Sequence, residues 1–346
     1  MSGGVDSSVA AARLLRAGYD VVGAFLCLGG PAGQPAGERG GCCGPRDAAD
    51  AKRVAAALGI HLEVLRLADA MGEIIDYFAD EYAAGRTPNP CIHCNARLKF
   101  GRLMDYADRV GACCVATGHH ARLVAGPAGP AIARARALGK DQSYALFAIP
   151  RERLGRVLLP IGELNDKAEV RRIARELGLS VHDKPDSQEI CFVADDDYVS
   201  LLRARRPDAL RPGRIVNSRG DLLGSHEGYA RFTVGQRRGL GIGGLKEPLY
   251  VLRIDPATGD VTVGPRAEAL GTRLTACGAN WHADVPDEFD ATVQVRYNHR
   301  GAPARVRVTG AGRFAVEFAE GVHAITPGQA AVAYDGDRLL GGGWIE

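Results

Sequence analysis

The sequence predicts an α/β protein with a parallel sheet in its first part, a small β-rich domain in the middle and a C-terminal antiparallel β-barrel. Three observations lead to this prediction. Apolar runs alternate with helical patterns through residues 1–209, which is typical of βαβ units. Helical periodicity then fades, and residues 210–268 show short strand patterns between turns. In residues 269–346, alternating apolar segments predict about six strands that close into a barrel.

Composition sets the outer limits on function. A chain of 346 residues suggests two or three domains, and a hydrophobic content of 46% with 24% charged residues is typical of a soluble globular protein. The net charge of +2 means that any nucleic-acid surface must be local. No apolar run approaches the ~20 residues of a membrane span, and no cleavable signal is visible, so we expect the cytoplasm. Nine cysteines favour reactive, metal-binding or buried thiols over a disulfide scaffold.

The elements of the first part follow from apolar runs and helix stops. Strands are predicted at 21–27, 62–67 and 113–117, and helices at 5–17, 47–58, 71–84 and 98–110. Ligands of parallel sheets bind beyond the carboxyl ends of the strands. We therefore expect the first turn of the chain to meet the segments that follow Leu26 and Thr117.

The most informative segment opens the chain. Gly3 and Gly4 allow a tight turn that brings backbone N–H groups close to a bound anion. Asp6, Ser7 and Ser8 then begin a helix whose free amides favour a phosphate. An ordinary capped helix is the alternative, but Ser-Gly-Gly-x-Asp-Ser is more demanding than a glycine pair. The motif resembles the pyrophosphate loop (PP-loop) of ATPases that adenylate their substrates, whereas no Walker-type motif is present.

The start of the chain is unusual for such a loop. A phosphate loop of this kind normally follows a buried strand, and here nothing precedes it. Either Met1 is an internal methionine taken as the start or the first strand is missing, and we favour a mis-assigned start. For Asp6 two roles stay open, namely ordering the loop and binding a Mg²⁺ ion on the phosphates.

Two polar segments carry cysteines suited to chemistry. The prolines of Thr-Pro-Asn-Pro, at 87–90, are expected to hold the chain extended and to present Cys91 and Cys94 just before a helix at Leu98. A second segment, 184–192, carries Cys191. We interpret Cys94 and Cys191 as reactive thiols. The remaining cysteines that we assign are interpreted as structural, namely Cys27, Cys113, Cys114 and Cys277.

Seven motifs in register resemble the bacterial tRNA-specific 2-thiouridylase family (MnmA/TrmU) along the whole chain. They are the phosphate loop, Thr-Pro-Asn-Pro-x-x-x-Cys-Asn, Ala-Thr-Gly-His-His-Ala-Arg, Lys-Asp-Gln-Ser-Tyr, the Cys191 segment, Gly-Gln-Arg-Arg-Gly-Leu-Gly and Thr-Pro-Gly-Gln. The resemblance implies an adenine-nucleotide α-hydrolase-like (PP-loop) domain at the N-terminus. No single motif decides the resemblance; the order of all seven does.

The resemblance also implies roles for individual residues. Cys94 matches the family nucleophile, and Cys191 matches its persulfide carrier. The target base is expected at Asn89, Pro90 and Cys91. ATP is expected at Met1, Ser2, Gly3, Gly4, Val5, Asp6, Ser7, Ser8, Leu26 and Gly118. Contacts with tRNA are expected at His119, Lys140, Asp141, Gln142, Arg296, Tyr297 and Gln329.

The implied reaction is an ATP-dependent thiolation of tRNA. The O2 atom of the wobble uridine is adenylated, sulfur from a cysteine persulfide replaces it, and AMP leaves. Transfer leaves a Cys94–Cys191 disulfide for a reductant to reopen. The expected partners are therefore tRNA and a cysteine desulfurase or sulfur-relay protein that loads the persulfide.

One departure from the family pattern leaves the sulfur chemistry open. Better-known members have an aspartate where this chain has Cys91. Cys91, Cys94 and Cys191 could together hold a [4Fe–4S] cluster with one open iron, and a zinc site would recruit a fourth ligand such as His93. Persulfide chemistry without a metal is the other reading.

Other functions compete with tRNA thiolation. A PP-loop ligase that adenylates a small molecule would share the first part of the chain, and a non-enzymatic RNA-binding or sulfur-relay protein would need only the barrel and the thiols. The basic residues of 166–177 and 201–214 are either solvated faces or a phosphate track for RNA.

Overall fold

The computed structural model describes residues 1–29, 44–127, 129–186, 190–193, 197–243, 247–310 and 312–346. Residues 187–189 of the predicted Cys191 segment lie outside this description. The chain forms two compact units. The first comprises Met1–Ile74, Cys91–Asp196 and Asp337–Leu340, and the second comprises Ile75–Pro90, Asp197–Gly336 and Gly341–Glu346. Among the helices of the described ranges, none is both long and apolar enough to cross a bilayer.

Helices and strands alternate in the first part of the chain, as predicted. The elements are α1 Val5–Arg16, β1 Gly23–Cys27, α2 Pro45–Leu58, β2 Leu62–Arg66, α3 Ala68–Ala83, α4 Pro90–His93, α5 Leu103–Arg109, β3 Val115–Ala116, β4 Ala121–Gly126, β5 Gly129–Arg134, β6 Val157–Leu158 and α6 Lys167–Glu176. Strand β1 pairs with β2, and β3 pairs with β6, both in parallel. The predicted parallel pairing is confirmed, although it occurs as two separate two-stranded sheets. The β4–β5 hairpin was not predicted.

A buried cluster packs α6 against α1. Val5 and Val9 of α1 lie in one cluster with Val170 and Ile173 of α6, and Val9 is fully buried. Each such side chain stabilises the fold by roughly 1.5–3 kcal/mol when it leaves water. Because the first residue of α6 is Lys167, this packing brings a lysine to the start of α1.

The helix after the two prolines begins earlier than predicted. It starts at Pro90 rather than Leu98, because a proline is well tolerated in the first turn, where its missing N–H has no intrahelical partner. A π-helical segment, Cys94–Arg102, joins α4 to α5. Its wider spacing places the Ala96 carbonyl oxygen 3.0 Å from where a Cβ of Gly101 would be. The prediction that Cys94 lies in an extended segment before the helix is therefore wrong.

Strand β3 is also shorter than predicted. The apolar run at 113–117 forms only Val115–Ala116. Cys113 is exposed, Cys114 is half-buried and both precede the strand, so the expectation that these two thiols are buried in a strand is wrong. Before the strand, the carbonyl of Cys113 accepts a hydrogen bond from Arg156 Nε at 3.0 Å.

The remainder of the chain is mostly β-structure. Its elements are α7 Tyr198–Arg205, β7 Gly213–Asn217, β8 Leu222–His226, β9 Tyr250–Asp255, β10 Asp260–Gly264, β11 Leu270–Trp281, β12 Glu288–Gln294, β13 Ala302–Gly310, β14 Arg313–His323, β15 Ala330–Asp335 and β16 Arg338–Ile345. Strands β7 to β10 form one sheet in the order β8-β7-β10-β9, as expected for a β-rich middle domain. Strands β11 to β16 form a six-stranded antiparallel barrel, closed by the pairing of Ala276 with Ile345. The predicted barrel is confirmed.

Candidate active site

The first turn has the geometry of an anion site. Gly3 has a φ of +71°, and a Cβ on it would lie 2.3 Å from the Asp47 carbonyl oxygen, so only glycine fits. Gly4 is the extended N-cap residue of α1, and no side chain of the described residues caps the helix there. The hydroxyls of Ser7 and Ser8 both donate to the Gly4 carbonyl, at 3.1 and 2.8 Å. The amides at the start of α1 are thus left for a ligand such as a phosphate.

Gly118 packs directly against this loop. A Cβ on Gly118 would lie 2.6 Å from the Asp6 carbonyl carbon and 2.6 Å from the Ser7 nitrogen. The expected meeting of the first turn with the segment after Thr117 is therefore present. Leu26, half-buried near the end of β1, is the other residue expected beside the nucleotide. On the same strand, the amino group of Met1 donates to the Ala24 carbonyl.

Asp6 is held by two cationic or polar side chains. Lys167 Nζ donates to both carboxylate oxygens of Asp6, at 2.7 and 2.6 Å, and His120 Nε2 lies 3.2 Å from Oδ1. Burial alone would raise the pKa of Asp6, but the hydrogen bonds from His120 and Lys167 and the charge of Lys167 together hold that pKa below its usual value. Asp6 is thus a carboxylate that connects the first turn to His120 and to the start of α6.

The segment 184–186 is bonded to the same loop at two points. Lys184 Nζ donates to the Gly3 carbonyl at 2.9 Å and to Asp47 and Asp50 at 2.6 Å each. Asp186 accepts from Lys167 at 2.9 Å. The phosphate loop and the segment that continues toward Cys191 therefore share one charged network.

Asp186 gathers three cations of the first unit. Besides Lys167, it pairs with Lys140 at 3.0 Å and with Arg171 at 3.3 Å. Burial would raise the pKa of Asp186, but the hydrogen bonds and charges of Lys167 and Lys140 lower it overall. Burial likewise opposes the charge of Lys184, while its two aspartate partners raise its pKa overall.

Sequence reasoning missed Lys167, Lys184 and His120 as parts of this site. Lys167 was interpreted as part of a solvated or RNA-facing helix surface. One signal was available, because a lysine at the first position of a helix is disfavoured by the helix dipole and so requires another partner. Lys184 and His120 stood inside motifs that were recognised, but nothing in the sequence indicated what they contact.

The three thiols of interest lie in different environments. Cys94, the first residue of the π-helical segment, is 9% exposed; Cys91 is exposed, and Cys191 is half-buried. Next to Cys94, Asn95 Nδ2 donates to the Ala145 carbonyl at 2.9 Å, which fixes this part of the helix. Burial, followed by the charge of Arg97, lowers the pKa of His93 to about 4, so His93 is neutral near pH 7.

The described residues show no ready-made metal centre at these thiols. Within the part of the chain that the structure describes, no group of three or more His, Cys, Asp or Glu side chains is arranged to hold a metal ion. Neither an iron–sulfur ligand set of Cys91, Cys94 and Cys191 nor a zinc set that adds His93 is formed within those described ranges. We therefore derive no step through an iron–sulfur cluster or a zinc ion.

Comparison with known proteins gives matches along the whole chain. Three family models match in order: the tRNA methyl transferase HUP domain at residues 1–195, the tRNA methyl transferase PRC-barrel domain at 201–265 and the aminomethyltransferase beta-barrel domain at 272–345. A protein of Paracoccus denitrificans named tRNA-specific 2-thiouridylase MnmA is 47% identical over 351 residues, covering 100% of this chain and 90% of the relative. Relatives of the same name from Rhodospirillum centenum and Carboxydothermus hydrogenoformans are 48% and 46% identical, over 100% of this chain and 90% and 96% of their own lengths.

The chain belongs to the MnmA family. The suspected resemblance is thereby confirmed, and so is the fold class, with a HUP domain followed by a PRC-barrel domain and a β-barrel.

The residues of the first unit that the sequence predicts for tRNA contact differ in accessibility. His119 is buried, with Nδ1 2.8 Å from Thr117 Oγ1 and Nε2 3.4 Å from Lys99 Nζ. Burial and the charge of Lys99 hold the pKa of His119 well below its usual value. Asp141 accepts from Ser143 Oγ at 2.8 Å and orders its own turn. Gln142 Oε1 accepts from the His120 backbone at 2.9 Å, while the side chain of Lys140 is 44% exposed.

The second unit holds the other residues that the sequence predicts for tRNA contact. Tyr297 is 45% exposed and can present a ring to a base. Arg296 Nη1 donates to the His323 carbonyl at 2.6 Å, and Gln329 donates to the backbone of Thr87 and Pro88. Asn89 and Pro90, the expected target-base residues, also belong to this unit.

Most arginines of the 201–214 segment have protein partners. Arg205 pairs with Asp76, and Arg206 pairs with Asp80 at 2.6 Å. Arg211 and Arg214 are likewise engaged, the former by two backbone carbonyls and the latter by a carboxylate. These four guanidinium groups are structural in this structure, which weakens the case for a continuous phosphate track.

Proposed function

We propose that this protein thiolates the wobble uridine of tRNA at position 2 in an ATP-dependent reaction. The observation that carries the proposal is the ordered match of three family models along residues 1–345, together with full-length relatives named tRNA-specific 2-thiouridylase. The names of two matching domains mention methyl transfer, so the nature of the transferred group has to be part of the test.

ATP would bind with its phosphates at the first turn of the chain. The uncapped amides of α1 supply hydrogen-bond donors, and Gly118 allows the neighbouring segment to approach the loop closely. Asp6 is the carboxylate that could bind a Mg²⁺ ion on the phosphates. In the structure, Lys167 supplies the positive charge beside Asp6. A bound Mg²⁺ would neutralise phosphate charge as adenylation proceeds.

Adenylation solves the problem of the leaving group. A uridine carbonyl oxygen leaves poorly, whereas the same oxygen attached to AMP leaves well. Attack of the uridine O2 on the α-phosphorus forms the O–P bond and expels pyrophosphate. Lys167 and Lys184 both contact the phosphate loop, so they are the cations that we expect to stabilise the charge of the pyrophosphate.

Sulfur would then be delivered from a persulfide on Cys191. In the proposed step the Cys94 thiolate attacks Sγ of Cys191, which forms the Cys94–Cys191 disulfide and expels hydrosulfide. Hydrosulfide attacks C2 of the adenylated uridine, AMP departs with the original oxygen, and one proton is lost to give the 2-thio group. A cysteine desulfurase or sulfur-relay protein would reload Cys191 after an external dithiol has reduced the disulfide.

The proposal is tested by incubating the purified protein with unmodified tRNA, ATP and a persulfide donor. Mass spectrometry of the digested nucleosides should reveal 2-thiouridine, and it distinguishes this product from a methylated uridine. Cys94→Ala should retain tRNA binding on a native gel and lose thiolation. Cys277→Ala, which changes a half-buried thiol outside the proposed chemistry, should retain both.

Three results would contradict the proposal. Failure to bind any tRNA would favour a ligase that acts on a small molecule. Thiolation without ATP would remove the adenylation step, and full activity of Cys94→Ala would remove Cys94 from the mechanism.

A further inference from the structure

A turn of the barrel holds the chain segment that precedes the cysteine motif. We name residues 85–90, which follow α3 and end at the first residue of α4, the strap. The Thr87 amide donates to the Pro327 carbonyl at 2.9 Å. In return, Gln329 Nε2 donates to the carbonyls of Thr87 and Pro88, at 3.0 and 3.2 Å. All of these residues belong to the second unit.

The strap depends on such outside donors because of its prolines. Pro88 and Pro90 have no N–H group, so half of the backbone donors in residues 87–90 are missing. Pro88 and Pro90 are buried, and buried carbonyls near them need a partner. The two N–H groups of the Gln329 amide supply one partner to each of two successive carbonyls.

The turn that carries Gln329 is itself fixed to the barrel. The Gln329 carbonyl accepts from the Ile345 amide at 2.8 Å, and the Gly328 amide donates to the Ile345 carbonyl at 2.9 Å. Gly328 has a φ of +88°, and a Cβ on it would lie 2.9 Å from the Thr87 carbonyl oxygen. The strap therefore lies so close to the turn that residue 328 has no room for a side chain.

We propose that Gln329 is a positioning residue, which fixes the strap so that Asn89 and Pro90 are presented to the target uridine. This inference rests on the proposed function and on the expectation that the target base lies at Asn89, Pro90 and Cys91. Both strap carbonyls that Gln329 contacts immediately precede Asn89. Since both N–H groups of the Gln329 amide are used, donating one of them to RNA would cost a strap hydrogen bond.

Two variants test the strap by different means. Gln329→Glu keeps the shape of the side chain and removes its donors. Gly328→Ala leaves Gln329 intact and pushes against the Thr87 carbonyl. The matched control is Gly336→Ala in the same barrel, where φ is also positive (+58°) and nothing lies within 4 Å of the added methyl group. Thermal unfolding of each variant checks that the barrel remains folded.

The kinetic readout separates positioning from direct RNA binding. We expect kcat for thiolation to fall about 10- to 100-fold in Gln329→Glu and Gly328→Ala, because the reacting base is misplaced. The tRNA dissociation constant should equal that of the wild type, and Gly336→Ala should keep its kcat. A weaker tRNA affinity at unchanged kcat would instead make Gln329 an RNA contact and overturn the proposal, as would a Gly328→Ala variant that behaves like Gly336→Ala.

Hydrogen exchange tests the strap without any activity. Peptides that cover residues 85–90 should exchange faster in Gln329→Glu and Gly328→Ala than in the wild type, whereas Gly336→Ala should show no change. Unchanged exchange would overturn the positioning role. Faster exchange in a protein that fails to thiolate tRNA would show that the proposed function, and with it the role of the strap in presenting a uridine, is wrong while the contact itself is real.

Discussion

Replacing Gly118 by alanine tests whether close packing against the phosphate loop matters for nucleotide binding. The added methyl carbon would lie 2.6 Å from two backbone atoms of the first turn of α1, the Asp6 carbonyl carbon and the Ser7 nitrogen. Ordinary van der Waals contact begins at 3.4 Å. The first turn of α1 or the segment at Gly118 must therefore shift by about 0.8 Å, and backbone atoms cannot rotate away as a flexible side chain can.

The size of the effect follows from the cost of overpacking. Inserting a methyl group into a well-packed region costs typically about 1–3 kcal/mol. If the loop moves outward to relieve the clash, ATP binding has to return it to its native position. The cost of overpacking then reduces the free energy of ATP binding by the same amount. An affinity loss of about 5- to 150-fold corresponds to this range.

The assay is calorimetric titration of ATP into the wild type, Gly118→Ala and a control, Gly155→Ala. Gly155 belongs to the same unit, and nothing lies within 4 Å of a Cβ built on it, so its alanine variant should bind ATP normally. Thermal unfolding of the same samples separates loss of fold from loss of binding. A folded Gly118→Ala protein that binds ATP as tightly as the control would refute the assignment of the loop as the nucleotide site.

Lys184→Met removes three hydrogen bonds of one ammonium group and should lower the free energy of unfolding by about 2 kcal/mol, measured by urea denaturation. The pKa values of Asp6 and Asp186 lie below the usual 3.8, so the stability that the two carboxylates add is present above about pH 4 and is lost as the pH falls below it. Asp186→Asn should therefore reduce the fall of the melting temperature between neutral and acidic pH. Tyr297→Ala should weaken tRNA binding by about 1–3 kcal/mol in a filter assay if a base stacks on its ring, whereas Tyr19→Ala, with a similar exposure of 44%, should not.

The controls for these variants are simple. Lys52→Met changes an exposed lysine of α2 and should leave the urea midpoint in place. An equal midpoint for Lys184→Met would show that its ion pairs add nothing. If the melting temperature of Asp186→Asn falls with acid as steeply as that of the wild type, the pH argument is contradicted. Equal tRNA affinities for the two tyrosine variants would remove Tyr297 from the RNA surface.

The sequence predicted the architecture well because apolar periodicity reports burial. Short strand patterns between turns predicted a β-rich middle domain, which has four strands, and alternating apolar segments predicted a barrel of about six strands, which is the observed number. The prolines were misinterpreted because a proline disrupts the interior of a helix but is well tolerated at its first position. At Pro90 the missing N–H costs nothing, so the helix begins there and Cys94 becomes a helical residue.

The candidate site was harder to predict, because its contacts join distant parts of the chain. Gly-rich and serine-rich local patterns indicated the phosphate loop, since its geometry depends on neighbouring residues. The pair of Lys167 with Asp6 spans 161 positions, and that of Lys184 with Asp47 spans 137. Periodicity shows that such a lysine faces outward from its helix or loop, but it does not identify the carboxylate that the lysine meets after folding.

Because of the strap, the packed units of the protein do not coincide with the order of its domains in the sequence. Residues 75–90 lie in sequence within the first domain, yet they pack as part of the second unit, where Pro327 and Gln329 bind Thr87 and Pro88 of the strap. A fragment that ends at residue 209 would therefore lack the turn that supports its own strap. A chimaera that takes the barrel from a related enzyme would likewise change the turn that binds the strap. We therefore expect that the barrel and the strap have to be exchanged together.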